Sequence, residues 1–257
     1  MGADISLIVL LALMAALVAV ESWIPLRQQR QPGRRTTNLA LAALYFVLNF
    51  ALTAGALVLA AAMAQQQGGM LRELQLGPAW SFVLGVVVLD FSAYVVHVLM
   101  HKVPWFWRFH RVHHSDTEVD VTTAFRQHPL EGMLRFVFTF APAVLLGVSP
   151  TATAAYRLAS GINALFEHAN IRVAATVDRA LCWLIVTPHM HKIHHSRLPA
   201  ETDSNYGNLF PLFDRLCGTF TPTRCAAGVR YGLDEFAAVA KLRLTDLLAL
   251  PWRKARG

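Results

Sequence analysis

The sequence has little charge, few cysteines and none of the common catalytic signatures. Only 15% of its 257 residues are Asp, Glu, Lys or Arg, whereas a soluble globular domain carries about 25%. The three cysteines, Cys182, Cys217 and Cys225, form no C-x-x-C pair, which argues against a disulfide framework and a zinc knuckle. E-x-x-H, H-E-x-x-H, G-x-S-x-G, Walker A and G-x-G-x-x-G motifs are absent. Soluble di-iron bundles, zincin proteases and nucleotide-binding folds are therefore disfavoured.

The sequence instead contains long apolar segments. Residues 5–20, 39–64 and 82–100 are apolar, with Asp90 as their one acid, and about 20 such residues cross a bilayer. Two shorter segments, 136–147 and 151–166, flank Val148-Ser149-Pro150 and predict a hairpin that dips into or barely crosses the membrane. We expect an all-α integral membrane protein with about three transmembrane helices, a short helical hairpin and a cytoplasmic helical cap that carries the histidines.

The basic residues indicate topology rather than nucleic-acid binding. The net charge is +7, but the basic side chains are scattered at membrane flanks, where they would contact lipid headgroups, and form no basic face for nucleic acid. Arg27, Arg30, Arg34 and Arg35 lie between the first two apolar segments, which places that loop in the cytoplasm. The third segment then returns to the cytoplasm. The Ala-rich, Arg-over-Lys composition is typical of a GC-rich bacterial genome, so we expect a multi-pass protein of the cell inner membrane with its histidines facing the cytoplasm.

Histidine spacing is the most informative pattern in the chain. One six-residue pattern occurs twice, as H-R-V-H-H-S from His110 and as H-K-I-H-H-S from His191, and His97 and His101 form an i, i+4 pair upstream. Histidines at i, i+3 and i+4 share one helix face and can present several nitrogens to a metal. Eight clustered imidazoles are too many for one ion, so we expect two metals, for which Fe, Zn, Cu and Ni are all suitable. Lipid is the natural substrate reservoir at the membrane surface.

Five motifs, in this order and spacing, resemble the fatty acid hydroxylase/sterol desaturase superfamily. They are Asp90-x-x-x-Tyr94-x-x-His97-x-x-x-His101, Trp107-Arg-Phe-His110-x-x-His113-His114-Ser115, Thr123-Ala-Phe-Arg-x-His128-Pro-Leu-Glu131, Phe166-Glu-His168-Ala-Asn170 and Thr187-Pro-x-x-His191-x-x-His194-His195-Ser196. The resemblance runs from about residue 90 to 220. It implies a membrane-bound, non-haem di-iron oxygenase that hydroxylates or desaturates a sterol-like or fatty acyl C–H bond, with O₂ and electrons from a separate donor protein.

The resemblance also implies the site residues. The ligands and catalytic residues carried over are His97, His101, His110, His113, His114, His168, His191, His194 and His195. Some members have a further histidine where this chain has Ala164, which leaves one coordination position open. His128 is a candidate for that position or for a hydrogen bond to a ligand. His189 is interpreted as a bystander.

Acidic side chains near the motifs are candidates to accept a proton from the non-ligating ring nitrogens. They are Asp90, Asp116, Asp120, Glu131, Glu167 and Asp203. Arg126 and Glu131 flank His128 and are expected to pair with each other. Asp90 lies inside an apolar segment, where an acid is usually functional or paired.

The chain is interpreted as one membrane domain, residues 1–257. It comprises N-terminal transmembrane helices in 1–81, a histidine-box catalytic core in 82–220 and an amphipathic C-terminal tail in 221–257. Within the tail, residues 235–250 predict a surface helix that packs on the body or the membrane. Two other classes remain open, a histidine-rich metal transporter and a metal-dependent membrane hydrolase. Among oxygenases, sterol-like desaturases, fatty acyl or sphingolipid hydroxylases and ether-lipid or carotenoid oxygenases all remain.

Overall fold

The computed structural model describes residues 3–29, 31, 33–64, 70–236 and 242–253, and over these ranges the secondary structure is helical, with two isolated β-bridges. The helices are α1 Ala3–Trp23, α2 Arg34–Ala64, α3 Met70–Glu73, α4 Pro78–Lys102, α5 Pro104–His114, α6 Pro129–Leu145, α7 Pro150–His168, α8 Ala175–Leu181, α9 Pro188–His194, α10 Pro199–Thr202, α11 Leu212–Leu216 and α12 Leu244–Ala249. Four 3₁₀ turns, Val121–Phe125, Ala226–Gly228, Asp234–Phe236 and Leu250–Trp252, join them. The all-α prediction is confirmed for the described residues.

Three of these helices are long and apolar enough to cross a membrane. The qualifying stretches are Ile5–Trp23, Arg34–Leu52 and Pro78–Lys102, which agrees with the three predicted segments. With a rise of 1.5 Å per residue, the 25 residues of α4 extend over about 37 Å. That length exceeds the ~30 Å hydrocarbon core of a bilayer, so α4 is long enough to cross it.

The two shorter apolar segments form α6 and α7, which pack on α4. The chain reverses at Gly147, whose φ of 70° lies in the left-handed region that glycine adopts without steric cost. Ser149 then caps α7, its Oγ accepting the Ala152 N–H at 3.1 Å. Both helices are longer than the apolar pattern predicted, and the extension of α7 puts His168 in its last turn. Whether this pair enters the bilayer stays a prediction.

A buried ion-pair cluster joins the N-terminal helices to the histidine-bearing core. Arg34, at the start of α2, is 6% exposed and pairs with Asp116 at 2.6 Å and with Asp120. Arg35 pairs with Asp120 at 2.8 Å and with Glu21 at 2.7 Å. The expectation that these arginines contact lipid headgroups is therefore wrong for Arg34, because acids distant in sequence neutralise it inside the protein. For Arg35, whose side chain is 38% exposed, it stays a prediction. Arg30 lies outside the described residues.

The C-terminal tail packs on the body of the protein. Leu247 and Leu250 are buried in one cluster with Leu41 of α2 and Val112 of α5. The helix is shorter than predicted, since α12 covers only Leu244–Ala249, and residues 237–241 of the predicted helix lie outside the described part of the chain.

Candidate metal centre

Proline residues set the orientation of the helices that carry the histidines. Pro104 disfavours a helical conformation at Val103, which ends α4, and is itself the first residue of α5. The histidines of α5 consequently face those at the end of α4. Pro188 begins α9 in the same way, with the Thr187 hydroxyl as its N-cap.

The histidines converge into two adjacent groups. His97, His101, His110, His114 and His194 form a five-histidine group; His113, His168, His191 and His195 form a four-histidine group. Within each group one ring nitrogen per residue lies within 4.8 Å of all the others. Each repeated box divides its histidines between the two groups: the i and i+4 histidines share a group, and the i+3 histidine, about 100° around the helix from i+4, joins the other.

The four-histidine group is centred on His168. Its Nε2 lies 3.2 Å from His113 Nε2, 3.0 Å from His191 Nε2 and 3.2 Å from His195 Nε2. Burial lowers the pKa of His113, His191 and His195, which keeps these imidazoles neutral. Neutral nitrogens at this spacing direct lone pairs at a common point, the arrangement that a bound cation stabilises.

The five-histidine group also contains unsatisfied buried nitrogens. His97 Nε2 lies 3.2 Å from His110 Nε2, whereas the Nε2 atoms of His101, His114 and His194 have no hydrogen-bond partner within the described residues. A buried polar atom without a partner costs about 1–3 kcal/mol. Three such atoms within one group fit the donor set of a bound cation.

Backbone carbonyls set the tautomer of at least three candidate ligands. The Nδ1–H groups of His97, His194 and His168 donate to the carbonyls of residues Tyr206, Ser204 and Ala164 at 2.7–2.8 Å. A proton held at Nδ1 leaves the Nε2 lone pair free for a metal. Ala164, where some family members have a histidine, thus contributes through its carbonyl.

Two of the six candidate acids contact a ring nitrogen of a clustered histidine at short range. Glu131 Oε1 accepts the Nδ1–H of His110 at 2.8 Å, with both side chains fully buried. Asp203 Oδ1 lies 3.4 Å from His101 Nδ1 and is 40% exposed. Glu167 is more distant, its Oε1 lying 3.7 Å from His191 Nε2.

The other three acids have different partners. Asp116 and Asp120 belong to the arginine cluster, and Asp90 accepts hydrogen bonds from α7 and from the loop before α11.

The expected Arg126–Glu131 pair is wrong. Glu131 Oε1 instead accepts from Arg135 Nε at 3.0 Å, one helical turn further along α6, as well as from His110. Arg126 donates to Asn38 Oδ1 at 2.7 Å and to Ser115 Oγ at 2.9 Å. The 3₁₀ turn that precedes Arg126 directs it toward α2, which sequence proximity could not reveal.

Two buried histidines lie outside both groups. His128 Nδ1 accepts the Leu130 N–H at 3.2 Å, and its Nε2 lies 3.3 Å from the Leu248 carbonyl. The structure therefore does not bring His128 to the open coordination position. His189 Nε2 lies 3.1 Å from the Val173 carbonyl and its Nδ1 accepts the Ala226 N–H at 3.3 Å, in agreement with a bystander role.

The sequence analysis missed the basic residue at the second position of each box. Lys192 is fully buried, and its ammonium donates to the carbonyls of His168 at 3.1 Å and Ala169 at 2.5 Å, at the end of α7. Burial lowers the Lys192 pKa to about 8. Arg111 donates in the same way to the Leu250 and Arg253 carbonyls. The shared position of the two cations within the repeat was the available signal.

Comparisons with known proteins agree with this geometry. The fatty acid hydroxylase family model matches residues 82–219. The chain is 31% identical over 142 residues to ornithine lipid hydroxylase OlsE of Rhizobium tropici, covering 55% of this chain and 42% of that protein. It is 30% identical over 163 residues to alkylglycerol monooxygenase of Xenopus tropicalis, covering 63% of this chain and 35% of that protein.

A cholesterol 25-hydroxylase-like protein of Danio rerio is 28% identical over 143 residues, covering 54% of this chain and 55% of that protein. The chain spans less than half the length of the first two relatives. No solved structure matches it significantly. The family match covers more than half of the chain and all nine clustered histidines, so the chain belongs to the fatty acid hydroxylase family.

Proposed function

We propose that this protein is a membrane-bound oxygenase that hydroxylates a lipid C–H bond with two iron ions, O₂ and electrons from a separate donor protein. The observation that carries the proposal is the division of nine histidines, eight of them buried and His101 half-buried, into adjacent groups of five and four. The relatives' names, lipid hydroxylases and monooxygenases, favour hydroxylation over desaturation. They also favour an enzyme over a transporter or a hydrolase.

The donor set fits iron. All nine candidate ligands are imidazoles, which suit Fe, Zn, Cu and Ni. Zinc has no redox chemistry, whereas insertion of one oxygen atom from O₂ needs a metal that changes oxidation state. The Nε2 atoms without partners in the five-histidine group, and the close Nε2 atoms around His168, are the places where two ions would bind.

The chain's own residues would hold the metal centre in a fixed geometry and exclude water from it. Bound iron would supply the reductive activation of O₂, in the overall reaction R–H + O₂ + 2e⁻ + 2H⁺ → R–OH + H₂O. The Nδ1–H bonds of His97, His168 and His194 to carbonyls keep each ring oriented. Lys192 joins the end of α7 to α9 and so holds His168 beside the second box. Neutral ligands leave the ions with a high positive charge, which favours their reduced form.

The substrate class follows from location. The candidate spans place the chain in a membrane, where long-chain lipids are the abundant C–H substrates. Arginines in the α1–α2 loop favour a cytoplasmic position for that loop and for the histidines, in the inner membrane of a bacterium.

Lipid analysis under ¹⁸O₂ tests the function. Cells with the gene should contain an ¹⁸O-labelled lipid that cells without it lack. The label should disappear in His191→Ala and persist in His189→Gln, a matched control two residues away that contributes to neither group. A loss of two hydrogens without label would instead identify a desaturase. Unchanged lipids together with altered metal uptake would overturn the oxygenase proposal.

A further inference from the structure

Asp90 has contacts that the metal centre does not explain. It is fully buried, and its carboxylate accepts the backbone N–H groups of Leu209 at 3.0 Å and Phe210 at 3.1 Å and the Tyr156 hydroxyl at 3.2 Å. Asp90 therefore binds a non-helical loop that lies more than a hundred residues later in the sequence.

These contacts bring the loop to the middle of α4, a candidate membrane span. Asp90 precedes Lys102, the last residue of α4, by a dozen residues, which is about 18 Å along the helix axis. Half of a bilayer's hydrocarbon core is about 15 Å. Water does not reach that depth, so non-helical backbone there needs partners inside the protein. Asp90 supplies two of them, and Asp214 accepts the Tyr206 and Gly207 N–H groups at 2.8 and 2.7 Å.

The helix that follows the loop packs on the middle of α4. The ring of Phe213 lies 5.0 Å from that of Phe91 and 5.9 Å from that of Tyr94, between centroids. The outward-facing side of α11 exposes Leu216, at 71%, and Leu212, at 44%. This side is therefore apolar and at the depth of the α4 interior.

An aromatic contact extends this surface toward α8. Arg215 lies between the rings of Trp183 and Phe220, 3.9 and 3.8 Å from their centroids, and donates to the Cys182 carbonyl at 2.9 Å. Its charge is thereby shielded. Trp183 and Leu184 are 69% and 68% exposed. We call the surface formed by Trp183, Leu184, Leu212 and Leu216 the lateral face.

We propose that the lateral face is embedded in the bilayer, with lipid acyl chains as its partner. It continues the surface of α4 through Phe91, which is 45% exposed, and a water-soluble partner could not reach that depth. An apolar patch of this kind in water would be a liability. The α8–α11 side of the core therefore lies within the lipid leaflet rather than above it in water. A lipid can then approach the second histidine box without leaving the membrane. This inference concerns depth, so it does not depend on the oxygenase chemistry.

Nitroxide labels on the full chain in lipid nanodiscs test this. Leu184→Cys and Leu216→Cys are prepared with the native cysteines replaced, and the control retains only the exposed native Cys225. Collision rates are measured with O₂, which concentrates in lipid, and with a water-soluble nickel chelate. We expect a several-fold higher ratio of O₂ to nickel collisions at both sites than at Cys225. Ratios equal to that of Cys225 would overturn the proposal.

A second measurement avoids the cysteine background. In nanodiscs with brominated acyl chains, the tryptophan fluorescence lost to quenching should be smaller in Trp183→Phe than in the wild type, since the exposed Trp183 contributes to it. Phenylalanine keeps a ring against Arg215. An unchanged quenched amplitude would contradict the proposal even if the labelled variants do not fold.

Discussion

Glu131→Gln tests how far one buried hydrogen bond controls metal affinity in the five-histidine group. Glu131 Oε1 accepts the His110 Nδ1–H at 2.8 Å, and both side chains are fully buried. Burial raises the Glu131 pKa to about 7, and the Arg135 guanidinium, 3.0 Å away, favours its charged form. Glutamine has nearly the same shape and keeps a carbonyl acceptor, but it lacks the carboxylate charge that strengthens the bond above that pH. The substitution therefore changes the electrostatics of the ligand more than its packing.

The magnitude follows from the type of hydrogen bond. A bond to a charged group contributes about 1.5–3 kcal/mol and a neutral one about 0.5–1.5 kcal/mol, so Glu131→Gln should cost about 1–2 kcal/mol of metal binding. That corresponds to about a tenfold weaker affinity, within the range known for partners of ligating histidines.

Asp203→Asn is the matched control. Asp203 also faces a candidate ligand of the five-histidine group. Its Oδ2 pairs with Lys102 at 2.8 Å. Its Oδ1 lies 3.4 Å from His101 Nδ1, and the Asp203 side chain is 40% exposed. Solvent screens such a contact, so its loss should weaken binding by about twofold at most.

Metal content after equilibration at a fixed free concentration distinguishes these outcomes. At a free metal concentration about ten times the wild-type dissociation constant, where the wild-type five-histidine group is about 90% filled, Glu131→Gln should fill it to about half and Asp203→Asn to about 80%. Unfolding curves of the metal-free variants show whether the fold is kept. If the two variants lose metal equally, or Asp203→Asn loses more, the reasoning from burial and distance is refuted.

Three further predictions concern single sites. His168→Ala should abolish metal binding in the four-histidine group, because His168 Nε2 contacts three other candidate ligands. His189→Gln should keep both ions, because His189 contacts none of them. Equal metal content in the two variants would contradict this prediction. Asp90→Ala leaves the Leu209 and Phe210 N–H groups unsatisfied and should cost about 2–6 kcal/mol of stability, at about 1–3 kcal/mol for each group. Asp90→Asn should cost less, and equal melting temperatures for the two would argue against the contact. Burial lowers the pKa of the α9 box histidines, so the unfolded metal-free chain binds more protons than the folded one. The free energy of unfolding should therefore decrease as the pH is lowered below about 6.5, by about 1.4 kcal/mol per pH unit for each histidine that stays neutral in the folded protein. Denaturant titrations of the metal-free protein at about pH 6.5 and at one lower pH measure this free energy. A free energy of unfolding that does not change between the two would contradict the prediction.

Much of the centre could be predicted because its information is local. The spacing i, i+3, i+4 places His110, His113 and His114 on one side of a helix, and the charge pattern predicts that the apolar segment ending in His97 and His101 brings a third set to the same membrane surface. His168 was found by resemblance, and its position at the end of α7 agrees with that assignment.

The partners of these residues could not be predicted from local pattern. Glu131 was one of six candidate acids, and sequence proximity paired it with Arg126, whereas the rotation of α6 directs it to His110. Lys192 looked like an ordinary charged residue, and its burial against the end of α7 depends on a contact between distant segments.

Composition and spacing alone determined that this chain is helical, is apolar enough to enter a membrane and carries histidines spaced for metal binding, because helix periodicity and hydrophobic length are properties of neighbouring residues. Only the tertiary structure decided which histidines share a group, which carbonyls and carboxylates orient them, and that Asp90 binds the loop before α11. Those outcomes depend on how α4, α5, α7 and α9 pack against one another, and packing brings together atoms that no local pattern relates.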